Sequence, residues 1–262
     1  MSRGFGINGV GATDSVLTGL TSSGSDRRSY SIWFYRTGNG GSSLGNLFFK
    51  NNSEICCWAN FLGRFFYGRC NAAGVKTANW ELIPPAAGPG STAGIANVWN
   101  HFLLTHDQSS GAATAAANYW NGYSGINSST ALTLVAPGAS PYNVGNTTPF
   151  NDRVWDGFLA HFAIWDNVIL GQTEAQMLTA GVHPMMIAPA NCVCYLPLDG
   201  IHNPEVDFYP GNARGSITGT RFGTSQPPQA PMYIASKSRP REAAFWQAIG
   251  AARARQYAVT VT

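Results

Sequence analysis

A chain of 262 residues, 44% of them hydrophobic, can bury a sizeable core and suits one large all-β domain. Only 11% of its residues are charged, against roughly 25% in ordinary soluble domains, while 30 Gly and 15 Pro supply many turns. The net charge of +3 is carried by the tail: from Lys237 onward five basic residues face one acidic residue, +4, which leaves the body at −1 and excludes a nucleic-acid stripe on it.

No apolar run follows a basic start, and no stretch reaches the roughly 20 apolar residues of a membrane span. The sequence therefore predicts neither signal peptide nor transmembrane helix, and a chain made in a cytoplasm. Between Tyr30 and Leu198 short aromatic or branched runs alternate with Gly, Asn, Ser and Pro, the pattern of many short strands. In the first run Tyr30, Ile32 and Phe34 alternate with Ser31, Trp33 and Tyr35, so both faces carry large side chains and both are expected to be covered. Gly38 to Gly45 lacks the Lys and the helix of a phosphate loop and is expected to form a hairpin. Further strands are expected over Leu47 to Lys50, Ile55 to Ala59, Arg64 to Gly68, Val98 to His106, Ala117 to Trp120, Ala131 to Val135 and Phe158 to Trp165. Pro84 to Gly94 reads as a loop.

One short helix is expected over Thr173 to Leu178, with Thr173 as cap, Gln176 as its capping-box partner and Gly181 as its end. The stretch from Ser225 to Pro231 reads as a linker. Arg241 to Arg255 reads as a helix with Phe245, Trp246 and Ile249 on one face. The expected organisation is a sandwich over 1–231, then a linker and basic arm over 232–262.

Four pieces of sequence resemble the laminin G-like, concanavalin A-like jelly roll across Ser29 to Gly200. They are Tyr30 to Tyr35 with Leu47 to Lys50; Val98-Trp99-Asn100-His101-Phe102; Tyr119-Trp120-Asn121-Gly122; and Trp155-Asp156-Gly157-Phe158 through Ile164-Trp165-Asp166. Asn121-Gly122 also has its own logic, since a type I′ turn needs positive φ at both central positions. The resemblance implies an all-β, antiparallel β-sandwich, and the chain as a whole adds a short C-terminal helix. It implies little about ligand.

The same fold hosts glucanases, which need two closely set carboxylates. The glutamates here are Glu54, Glu81, Glu174, Glu205 and Glu242, and no two lie within four residues. Glu205 and Asp207 are flanked by Pro204 and Pro210 and read as a solvated loop. No Gly-x-Ser-x-Gly elbow is present, and His101 and His161 fall in apolar strands as hydrogen-bonded structural residues. Cys56, Cys57, Cys70, Cys192 and Cys194 are odd in number, lack zinc-ribbon spacing and read as small buried hydrophobes. Asp107, Asn121, Asn146 and Asp156 could hold calcium or sugar at loops, but each is better explained as a turn former.

The reading favoured by the sequence is a non-catalytic structural protein of a virus particle, a bacteriophage capsid or tail decoration protein, located in the virion. A low-charge surface and an appended basic helix suit an assembled subunit. Its partners would be other virion proteins, copies of itself and surface glycans, with no direct nucleic acid, membrane, cofactor or metal. Assembly would run through Arg241, Phe245, Trp246, Ile249, Arg253 and Arg255. The alternative is a carbohydrate-binding module or adhesin that recognises surface glycans, with contacts at Asp107, Asn121, Asn146 and the rim aromatics Tyr123 and Tyr142.

Overall fold

A computed structural model describes residues 2–6, 13–21, 27–50, 54–59, 63–70, 76–86, 96–109, 115–132, 140–147, 153–200, 205, 207–208, 216–223 and 226–227. The chain divides into two compact units, Met1–Gln229 and Ala230–Thr262. The described residues all belong to the first, so the expected helix over Arg241 to Arg255 and its six assembly residues lie outside them.

The strands are β1 (Ser2–Phe5), β2 (Ser15–Thr21), β3 (Arg27–Arg36), β4 (Leu44–Lys50), β5 (Glu54–Ala59), β6 (Arg64–Cys70), β7 (Lys76–Ile83), β8 (Trp99–Asp107), β9 (Ala116–Trp120), β10 (Tyr123–Ser124), β11 (Ile126–Leu132), β12 (Pro141–Val144), β13 (Gly157–Asp166), β14 (Cys192–Leu196), β15 (Ser216–Thr218) and β16 (Arg221–Gly223); the helix α1 spans Gln172–Thr179. The first sheet runs β10-β9-β8-β3-β13-β1-β16, with β14 also paired to β13; the second runs β11-β7-β6-β5-β4-β12-β2-β15. The described strand pairs are antiparallel, and the two sheets form the sandwich that the short runs predict.

Three expectations change. Strands β1, β2, β15 and β16 lie outside Ser29 to Gly200 yet extend both sheets. Gly38 to Gly45 is no hairpin, because β3 and β4 belong to different sheets; Gly40 turns with φ +76° and Gly41 N–H bonds Val154 O at 3.0 Å as the chain crosses over. The helix starts earlier than expected: Gly171 is its cap, and the Glu174 carboxylate accepts from Gly171 N–H at 2.8 Å. Thr173 and Gln176 therefore sit inside the helix, and Gly181, at φ +87°, follows its end.

Alternation in β3 places Tyr30, Ile32 and Phe34 in the core between the sheets, together with Phe65, Phe102, Trp120 and Trp155. The opposite face of the first sheet carries a second cluster. There Leu103, Ala163 and Trp165 meet Ala175 and Leu178 of α1, with Ile187, Cys192 and Tyr195. Thus α1 covers part of this outer face, which explains large side chains on both faces of β3.

One layer of the interior is ionic. Tyr142, Lys50, Glu54 and Arg69 stand in register across β12, β4, β5 and β6, and Asp166, Arg28 and His106 across β13, β3 and β8. All seven are buried. The rows meet where Arg28 Nη1 donates to Glu54 Oε1 at 2.8 Å, while Arg28 Nε donates to Asp166 Oδ1 at 3.1 Å and Arg69 Nη1 lies 3.3 Å from Glu54 Oε1. The hydroxyls of Tyr30 and Tyr142 donate to Glu54 Oε2 at 2.5 and 3.1 Å. Burial by itself would raise the Glu54 carboxyl, but Arg69, Arg28 and Lys50 outweigh it and hold it at about 2.

Candidate functional site

The part of the outer face beside α1 carries a row of three aromatic side chains. Tyr35 of β3 stands opposite Trp99 of β8 on one side and Phe158 of β13 on the other. Their alternation partners Phe34, Phe102 and Leu159 belong to the core, so this row faces outward. Each of the three rings is half-buried. Tyr35 packs edge-on to both neighbours, with ring centroids 5.7 Å from Trp99 and 5.7 Å from Phe158. The next row toward α1 is Trp33 and His101, closed over by Thr179, whose hydroxyl is 3.1 Å from His101 Nδ1.

On the other side of the aromatic row stand polar residues from the same three chain segments. Thr37 is two residues after Tyr35, Asp156 two before Phe158, and Asn97 two before Trp99. Thr37 Oγ1 donates to Asp156 Oδ1 at 2.9 Å, and Thr37 N–H donates to Asp156 O at 2.9 Å. Asn97 is exposed with φ +58°, and its N–H donates to Arg36 O at 2.9 Å. Apolar ring faces beside amide, hydroxyl and carboxylate groups match the two-sided character of a sugar, whose C–H face is apolar and whose rim is hydroxylated.

No protein-family model and no curated protein matches this sequence. Solved structures do share its fold. A protein of Bacteroides ovatus named for carbohydrate binding matches over 87% of this chain with a TM-score of 0.60 at 16% identity. The chain spans 61% of that protein's length. The heptameric SAP-like pentraxin of Limulus polyphemus matches over 70% of this chain and 84% of its own, with a TM-score of 0.52 at 14% identity. The fold is a lectin-like jelly roll.

This likeness overturns the expectation of a bacteriophage virion protein and of virion partners: the Bacteroides ovatus protein and the Limulus pentraxin, which share the sandwich over most of its length, are not capsid or tail proteins. Of the few charged residues, Arg3, Arg28, Lys50, Glu54, Arg69 and Glu205 are withdrawn into the interior, which lowers the charge of the surface further.

The sequence-derived glycan contacts do not assemble into one site. Tyr142 is no rim aromatic: it is 1% exposed, and its hydroxyl serves Arg28 and Glu54. Asn146 is also buried, its side-chain oxygen taking Thr147 N–H at 2.8 Å. Asp107 accepts from Ser109 and pairs with Arg27 at 3.2 Å. Asn121 and Gly122 have φ of +49° and +84°, as a type I′ turn requires, and Asn121 bonds Asn100 and His101 N–H. Tyr123 is 45% exposed on the edge strand β10. Of the four loop oxygens considered, Asp156 alone borders the aromatic row. Tyr35, Trp99, Phe158, Thr37 and Asn97 were not identified, because strand neighbours far apart in sequence leave no local signal.

The remaining reactive groups are tied into structure. Glu54, Glu81, Glu174 and Glu205 are held respectively by Arg28 and Arg69, by Arg64, by Gly171 N–H, and by Arg3 with Leu198 N–H. Glu205 is thus buried, not solvated as its flanking prolines suggest, and Asp207 accepts from Tyr195 N–H at 3.0 Å. Burial holds His101 and His161 at about 3; His101 Nε2 lies 2.8 Å from Ser31 Oγ, and His161 Nδ1 lies 2.7 Å from Tyr195 Oη. The five cysteines are buried and form no disulfide. Among the described residues no group of three or more His, Cys, Asp or Glu could hold a metal ion, and no helix is long and apolar enough to cross a membrane.

Proposed function

We propose that the chain is a carbohydrate-binding module with concanavalin A-like jelly-roll topology, and that it holds surface glycans on the outer face of its first sheet. The observation that carries this is the half-buried row Trp99, Tyr35 and Phe158 beside Asn97, Thr37 and Asp156. Flat rings supply apolar stacking at low entropic cost, and the adjoining polar groups fix orientation. The name of the Bacteroides ovatus protein agrees with this reading.

Retention of the full chain on a panel of immobilised polysaccharides tests it. At least one polysaccharide should retard the protein, and the triple variant Trp99→Ala, Tyr35→Ala, Phe158→Ala should elute unretarded with its melting transition preserved. Equal retention of the triple variant would refute this face as the binding surface.

For the tail we keep a separate role, joining copies of the chain through 232–262, where the basic and aromatic residues Arg241, Phe245, Trp246, Ile249, Arg253 and Arg255 concentrate. Sedimentation of the chain cut after residue 231 checks this: an unchanged oligomeric state would refute it.

A further inference from the structure

We infer that the ligand is an uncharged, extended glycan chain gripped along its interior, laid across the strands with one sugar unit over each of β8, β3 and β13. This rests on the carbohydrate-binding reading and specifies its substrate class. Three adjacent strands each carry an aromatic ring near one end, and the chain two residues from it, just outside the strand, carries a polar residue: Trp99 with Asn97, Tyr35 with Thr37, and Phe158 with Asp156.

The pairs repeat with the strand spacing, about 4.8 Å, which is close to the length of one pyranose in an extended β-linked chain. A repeating site suits a repeating ligand. A single sugar would engage one pair and leave two unused, and a tightly coiled glycan would touch the row at one point only. Tyr35 stands steeply to both neighbours, 63° from Trp99 and 68° from Phe158. The middle ring is therefore oriented differently from both of its neighbours.

Charge selects against acidic chains. The polar row ends in the Asp156 carboxylate, and the Arg36 guanidinium, which interacts with that charge, donates to Gly38 O at 3.1 Å and lies 4.7 Å from the centre of the Trp58 ring. A uronate or sialate in this lane would meet Asp156 with like charge.

Titration calorimetry of the full chain, with β-1,4-linked oligomers of glucose, mannose and xylose from one to six units, tests the inference. Polygalacturonate oligomers and a proline-rich peptide serve as contrasts. Affinity for at least one neutral series should climb steeply from one to three units and then level off. Trp99→Ala and Phe158→Ala should each weaken the trimer by about tenfold or more. The acidic oligomer should bind at least tenfold more weakly, and Asp156→Asn should narrow that gap. A melting transition within a few degrees of the parent shows that each variant is folded.

Should a monosaccharide bind as tightly as the trimer, or the acidic oligomer more tightly than every neutral one, the extended neutral chain is refuted while the carbohydrate-binding reading stands. Binding of the proline-rich peptide with no glycan bound refutes both.

Discussion

Arg28 of the first sheet and Glu54 of the second meet at 2.8 Å in the interior, with side-chain exposures of 2% and 0%, and so join the two sheets through a buried ion pair. Such a pair contributes little beyond well-packed apolar residues, yet removing one partner is costly, because the other charge stays buried. Glu54 also receives Arg69 and the hydroxyls of Tyr30 and Tyr142. Glu54→Gln should therefore lower unfolding free energy by about 3–5 kcal/mol, read from the urea midpoint at pH 7. The Glu54 carboxyl lies at about 2 folded against 4.5 in its ordinary range, so its contribution is full above pH 4.5 and lost as pH falls toward 2. That acid-dependent component should be missing from the variant.

Lys50 works in the opposite sense. It is fully buried, its ammonium 4.9 Å from the centre of the Tyr142 ring, and burial first, with Arg28 and Arg69 adding to it against Glu54, brings it down to about 8 from 10.5. Below pH 8 the folded protein carries this penalty in full. Between pH 8 and 10.5 the unfolded state holds more protons, so stability should rise with pH through that window. Lys50→Met leaves Arg28 and Arg69 balanced by Glu54 and Asp166. It should stabilise the protein at pH 7 by roughly 1–3 kcal/mol and flatten the rise. A less stable variant, or a wild type with no rise, would contradict this.

The strands were legible where apolar alternation is dense, as in β3, β8 and β13. They were not legible in β1, with sequence Ser-Arg-Gly-Phe, or β15, with Ser-Ile-Thr, where three or four residues give no period to read. The ionic layer was hidden for another reason. Glu54 and Arg69 sit at the ends of β5 and β6, where charge ordinarily marks the surface, and only the stacking of two sheets makes those ends interior. The site was hidden by register. Tyr35, Trp99 and Phe158 are each visible as aromatic residues, but their union depends on pairings 64 and 123 residues apart in the chain.

Acid should loosen the fold through its histidines. Burial brings His101 and His161 to about 3 and His106 and His183 to about 4, all below the ordinary 6.5. The unfolded chain takes up these protons first, so the stability present above pH 6.5 is lost progressively as pH falls toward 4. His106 is the informative one: its ring stands edge-on to Tyr67 and Trp80, and neither ring nitrogen has a hydrogen-bond partner among the described residues. His106→Phe keeps the ring packing and removes the titrating group. Its melting temperature should exceed that of wild type by more at pH 5 than at pH 8; an equal difference at both would show that His106 does not titrate.

The polar row of the proposed glycan face can be disturbed without touching any of its members. A Cβ on Gly38 would lie 1.8 Å from Asp156 Oδ2 and 2.7 Å from its Cγ, so Gly38→Ala forces the carboxylate to swing away. The backbone at Gly38 lies outside the left-handed region, and the side-chain end that must yield is half-buried at the surface, so the cost to the fold should be small. The swing breaks the 2.9 Å bond from Thr37 Oγ1 to Asp156 Oδ1 and removes both groups from their places beside Tyr35 and Phe158. Gly38→Ala should consequently weaken binding of the neutral oligosaccharide as much as Asp156→Ala does, with a melting temperature within a few degrees of wild type. The double variant Gly38→Ala, Asp156→Ala should bind no more weakly than either single variant, because both act through one carboxylate. Additive losses in calorimetry would mean that Gly38 acts on the ligand by some route other than Asp156.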